Sequence, residues 1–343
     1  MRHISLRWLA ASSAAILTAG LAGWAAAATR PRYGGTLRVE VRSPGDSADP
    51  PQIGFGMADL NGSFAIVQWD AGRQAVYEAS ETAVGGRPYL DRVEVELARP
   101  LRDQAADLEL GKADVVELGP NELRRPAAGR KVWPSAPVRV VALVFGPRVE
   151  DARVREALSL AVDRGAIHRV LLQQQGEISG ALLPQWLTGY AFLFPATADM
   201  ARARALLSGM PAAARSLTLS ADDVSLRPMA ERIALNARDA GLAVTVGSGA
   251  ADARLTEIRI VSTDPAHSLA ALAAALDAPP PARAASPEAL YAAEKAMLEG
   301  FRVVPLFQLP EVYGVSPKVK GGPGVSPLGE WRFENLWVEG GRP

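Results

Sequence analysis

Two histidines, no cysteine and many scattered carboxylates are what this sequence offers for chemistry beyond its first 28 residues. Nucleophilic catalysis needs a serine or cysteine held beside a base, yet there is no Gly-x-Ser-x-Gly turn and no thiol. His168 and His267 stand far apart, and neither lies in a His-Glu-x-x-His spacing that would put two ligands on one helix face. Gly111-Lys112 lacks the upstream glycine of a phosphate-binding loop, and no glycine-rich dinucleotide fingerprint occurs. A carboxylate dyad requires two acids in different environments at short distance, and no local motif pairs them. These residues imply no enzyme, no metal and no cofactor. His168, beside Arg169 on a helix, reads as a solvated surface residue, and His267 as a first-turn residue.

Binding is better served. The stretch LLPQWLTGYAFLF (182–194) is too aromatic for an ordinary surface loop. Trp186 and Tyr190 each offer an apolar face with a polar handle, suited to stacking on a solute. Packing beneath the loop as core is the alternative. A second stretch, EDARVREALSLAVDRGAI (150–167), interleaves arginines with apolar residues and raises the question of recognition or scaffolding. Val154, Leu158 and Ala161 form an i, i+4, i+7 stripe that should face a core, which favours scaffolding.

The elements that would hold these residues follow from periodicity. Residues 34–42 and 92–97 alternate apolar and polar as strands do, and 63–79 is broken at Asp70-Ala71-Gly72 like a hairpin. A helix stopped near Gly111 leads to a short strand at 114–118. The basic, proline-rich 120–137 reads as surface loop, and VRVVALVF (138–145) as a strand buried on both faces. Helices follow at about 150–162, 163–172 (capped by Asp163) and 198–209. Residues 217–246 read as a β-α-β unit with a connection long enough for a parallel crossover. A strand at 254–261, helices at 267–276 and 287–300, and strand-like composition at 301–319 complete the chain.

Met1 to Arg7 is a short basic region, Trp8 to Trp24 is uncharged and apolar, and Ala25 to Ala28 are small. This is the pattern of a secretory signal peptide cut near Ala28, a membrane anchor being the other reading. The 37 basic and 37 acidic side chains balance, and losing Arg2 and Arg7 with the leader leaves the remainder slightly acidic. Nothing in that balance points to nucleic acid or an anionic membrane. A hydrophobic content of 48% suits a folded core, and the length suits two lobes.

Asp151, Arg153, Val154, Arg155, Ala157, Ala161, Asp163, Arg164 and Ile167 fall in register on the D-x-R-V-R-x-A-h-x-x-A-h-D-R-x-x-I pattern (h apolar) of bacterial family 5 solute-binding proteins. RYGGTLRVEV, GGRPYLDRVEVE, GKADVVELG, DMARARALLSG, ERIALNARDAGLAVTV and VPLFQLPEVYGVSPKVKGG resemble further family segments in the same order. The resemblance implies an α/β, two-lobed periplasmic solute-binding fold of type II-like form. Its first lobe would be 29–145 plus 304–343 and its second 146–303, with crossings near VALVF and RVVPL. It implies capture of a small solute, peptide-like or other, for an ABC importer, with the importer's membrane subunits as partners and the periplasm as location. Phe145, at the expected crossing, and Asp264 and His267, where the family's ligand-anchoring region begins, join Trp186 and Tyr190 as candidate ligand contacts.

Three departures stand beside these matches. ADPPQIGFG runs almost directly into NGSF, so the small extra domain of the family is lacking. Ala83-Val84 replace an aromatic pair. Ile258 and Val261 stand where peptide binders carry tryptophan and the aspartate that holds the ligand's amino terminus. The expectation is a shallow cleft that binds weakly, or depends on a partner protein or self-association at the surface the lost domain would have covered. A degenerate accessory protein of the envelope is the competing expectation.

Overall fold

The computed structural model describes residues 30–42, 62–125, 129–190, 193–194, 196–260, 262–284 and 286–340. The expected leader peptide and most of the loop after the first strand lie outside the described residues. The alternation of Leu37 and Val39 with charged neighbours gives strand β1 (Thr36–Glu40). The expected hairpin is formed by β2 (Phe64–Asp70) and β3 (Gln74–Ala79), antiparallel; β4 (Arg92–Glu96) pairs with β3 and lies parallel to β1. Helix α1 (Leu101–Glu109) ends as Gly111 adopts φ 70°, and β5 (Val115–Glu117) joins β1 in parallel.

The segment 120–137 is not all loop. Helix α2 (Pro120–Arg124) is followed by a long strand, β6 (Lys131–Phe145), that starts well before VRVVALVF. Prolines made 131–137 read as loop, but Pro134 and Pro137 pair where the register of the partner strand shifts, so the ladder loses little from their missing N–H groups.

Next come α3 (Ala152–Ala161), α4 (Arg164–Val170), β7 (Glu177–Ile178), α5 (Gln185–Thr188), α6 (Met200–Leu207), β8 (Ser216–Ala221), α7 (Arg227–Ala240), β9 (Ala243–Gly247) and β10 (Ala253–Arg259). The chain closes with α8 (Pro265–Ala275), α9 (Pro287–Leu298), β11 (Val303–Val315), β12 (Val319–Lys320) and β13 (Trp337–Val338). The side chains of Asp151, Asp163, Asp199, Asp264 and Ser286 accept first-turn N–H groups, which fixes where α3, α4, α6, α8 and α9 begin. The β-α-β unit is present, with β8 and β9 parallel.

One mixed sheet runs β2-β3-β4-β1-β5-β11-β6-β10-β8-β9, with β7 on β11. Along β6, Val141, Leu143 and Phe145 pack with α3, α6 and α7, while Val140, Ala142 and Val144 pack with α8 and α9. A separate core joins Leu37, Val39 and Val95 to Trp331, Phe333 and Leu336 of the C-terminal segment. Around residues 145 and 304, where the crossings are expected, both strands pack within the second-half cores. Along β6 the core changes between Trp133 and Val140, and along β11 between Leu309 and Val312. These are the proline-bearing, register-shifted parts of both strands. Arg32–Pro343 forms one compact unit. No helix among the described residues is long and apolar enough to cross a membrane.

Candidate functional site

Charged residues inside otherwise buried strands mark the site. On β6 and β10, Arg139 and Arg259 are directly opposite each other, and Glu257 lies two residues before Arg259 on the same face. Arg139 Nη1 donates to Glu257 Oε1 at 3.1 Å and Nη2 to the Pro310 carbonyl at 2.7 Å. Arg259 Nε donates to Glu311 Oε1 on β11 at 2.7 Å, and its Nη2 to the Leu328 carbonyl at 2.6 Å. Glu311 is held further by its own N–H, which donates to Ser135 Oγ at 2.9 Å.

Arg42, just past β1, reaches over from the first half. Its Nη1 donates to Ser225 Oγ at 2.8 Å and lies 3.5 Å from Asp223, and its Nη2 is 3.5 Å from Glu257. Its backbone N–H donates to Glu117 Oε2 of β5. Burial raises the Glu117 carboxyl above its usual value, against the pull of the Arg42 N–H and the nearby guanidinium groups. Burial also pushes Glu311 up to about 7, although Arg259 and Arg139 draw it down.

Arg42, Glu117, Arg139, Glu257 and Glu311 border a cavity of about 380 Å³. Leu118 and Leu123 supply apolar wall from the first half, and Val170, Leu226 and Met229 from the second. Apolar walls with a few fixed polar groups, at this size, are what small-molecule sites offer. Both guanidinium groups bordering it, Arg42 and Arg139, already face a carboxylate, so neither is left to bind an anionic solute. Among the described residues there is no group of histidines and acids able to hold a metal.

None of the five sequence-predicted contacts borders this cavity. Phe145 is buried among the residues under α3. Trp186 is partly exposed, and its indole N–H donates to the Pro137 carbonyl at 2.9 Å. The Tyr190 hydroxyl donates to Glu294 at 2.8 Å while its ring meets Tyr291 edge-on; burial, then the Glu294 charge, raises its pKa. Asp264 caps α8, and His267 is exposed in that helix's first turn. His168 is not the solvated residue its neighbours implied: it is half-buried, stacks on Phe307 and contacts the Gly176 carbonyl at 3.1 Å. Arg42, Glu117, Arg139, Glu257 and Glu311 went unread in the sequence. Their signal is a lone charge in a strand otherwise fit for burial, as Arg139 is in VRVVALVF.

The family model for bacterial extracellular solute-binding proteins, family 5, middle region, matches residues 16–286. The chain belongs to this family. The family 5 fold is confirmed by solved structures, which share little sequence. The ABC transporter substrate-binding protein CtaP of Listeria monocytogenes is 15% identical, with a TM-score of 0.66 over 80% of this chain and 66% of that one. The oligopeptide-binding protein AppA of Bacillus subtilis, in complex with a nonapeptide, is 16% identical, with a TM-score of 0.64 over 82% and 69%. The dipeptide-binding protein of Pseudoalteromonas sp. SM9913, in complex with Met-Leu, is 16% identical, with a TM-score of 0.66 over 81% and 64%. This family 5 chain therefore spans about two thirds of the length of these neighbours. No curated protein matches the sequence.

Proposed function

We propose that this protein captures a small solute outside the cytoplasm for an ABC importer, without chemical conversion, and delivers it to the importer's membrane subunits. The supporting observation is the cavity itself, whose apolar walls come from both halves of the chain and meet over the ion pairs of β6, β10 and β11. Hinge closure about the two long strands would enclose the solute. Arg42, bonded to Ser225 and facing Asp223 and Glu257, acts as the tie that holds the halves together. The solute is a compact one, since the chain is short for its family and the cavity modest, and it binds more weakly than micromolar. On β2, an edge strand of the sheet, Ile66 and Val67 are exposed, which supports a protein partner or self-association there.

Calorimetry of the purified chain against peptides, sugars, opines and metal chelates tests this. Saturable heat in the wild type that Val170→Trp abolishes supports the reading, because Val170 is exposed at the cavity wall. A solute whose binding survives Val170→Trp removes this cavity from the function. Sub-micromolar affinity for a free solute would refute the reduced cleft.

A further inference from the structure

Arg164 follows the cap residue Asp163, yet its side chain turns inward and is 3% exposed. Nη1 donates to the carbonyls of Ser159 at 3.2 Å and Ala196 at 3.4 Å, and Nη2 to the Pro305 carbonyl at 3.2 Å, with Ser159 Oγ at 3.5 Å. The Nε–H is buried as well and makes no hydrogen bond. Among the described residues no carboxylate pairs with this guanidinium, and burial alone lowers its pKa to about 10. Arg99, Arg139 and Arg259 differ in this respect, since each faces a glutamate. Carbonyl oxygens satisfy N–H groups but leave the charge uncompensated, and an uncompensated buried charge is costly.

Arg164 borders a cavity of about 160 Å³, separate from the one described above and sharing no residue with it. Leu160, Phe301 and Val303 are among its apolar lining, and Arg202 and Glu156 also border it. Glu156, also at this cavity, is already paired with Arg202 at 2.5 Å, so it does not neutralise Arg164. The space equals about five waters at roughly 30 Å³ each. Its lining combines charged and apolar side chains.

We propose that this cavity binds a small monocarboxylate, its carboxyl group against Arg164 and its short aliphatic chain among Leu160, Phe301 and Val303. Glu156 and Arg202 cancel each other's charge, so the one uncompensated guanidinium, Arg164, matches one negative charge rather than two. The apolar wall favours an alkyl chain over a bare halide, which would leave that surface unfilled. The site lies on α3, α4 and β11, so it stands or falls independently of solute capture at the larger cavity.

The test uses the full chain with sodium butyrate, its neutral isostere butyramide, and sodium chloride at matched ionic strength. Butyrate should raise Tm saturably, while butyramide and chloride should not. Leu160→Trp, which fills the cavity but keeps the guanidinium, should abolish the response, and Arg164→Gln should weaken binding about tenfold or more. In the wild-type chain, the ¹⁵N-resolved Nε–H resonance of Arg164 should move saturably with butyrate. An unmoved resonance at high butyrate, equal responses to butyrate and butyramide, or an undiminished response in Leu160→Trp would each overturn the proposal.

Discussion

Glu311→Gln should remove much of the pH dependence of folding stability. Glu311 is 5% exposed on β11, one carboxylate oxygen on Arg259 and the other, Oε2, buried without a hydrogen-bond partner. The charged groups acting on it are Arg259 of β10, Arg139 of β6 and Glu117 of β5. Burial outweighs both arginines and lifts its pKa from 4.5 to about 7. That rise corresponds to about 3 kcal/mol. The folded state holds the proton more tightly than the unfolded chain, so this stability is fully present below pH 4.5 and is lost as pH rises through about 7. Glu40, also buried and pushed up to about 7, acts in the same direction, so the comparison between variants carries the answer. Urea unfolding between about pH 4 and about pH 8 at constant ionic strength should show the wild type losing about 3 kcal/mol more than Glu311→Gln. The glutamine keeps an acceptor for Arg259 and cannot ionise. Equal losses in the two proteins would show that Glu311 titrates alike in both states, and would refute the reasoning.

Arg155→Ala should destabilise by about 3 kcal/mol, read by urea unfolding, because three carbonyls lose their donor in a buried setting. They belong to Val149, Glu150 and Gly300, at 2.6, 2.8 and 2.7 Å. Glu294→Ala should cost a similar amount, about 3 kcal/mol, and speed amide exchange at Leu182 and Leu183, whose N–H groups now donate to its carboxylate at 2.7 and 2.9 Å. Gly176→Ala should disrupt the β7–β11 pairing, since Gly176 has φ 71° and a Cβ there would come within 2.3 Å of the Gln308 carbonyl. Exchange at Ile178 and a lowered Tm would report it.

What was legible in the sequence is what local chemistry encodes. The β-α-β unit at 216–247 shows itself by period and by Gly241, which leaves α7 at φ 96°. Asp163 announces its helix because a cap acts within three residues. The candidate site is of another kind. Arg42 meets Ser225 and Glu257 across sequence separations of 183 and 215, and no window short enough to show periodicity contains both ends. Trp186 and Tyr190 drew attention by being aromatic, yet the Pro137 carbonyl and Glu294 already engage their polar atoms.

The arginine-rich stretch 150–167 shows the same limit within a few residues. Arg155 and Arg164 belong to one sequence pattern, both turn inward, and both meet backbone carbonyls rather than acids. Arg155 directs its Nε to Gly300, so it joins the start of α3 to the chain before β11 and acts as scaffold. Arg164 leaves its Nε unpaired beside a cavity. Residue type and spacing are the same kind of signal in both cases. What separates scaffold from binding group is whether the fold brings a carbonyl to that last N–H, and that is decided by the distant segments that pack around it.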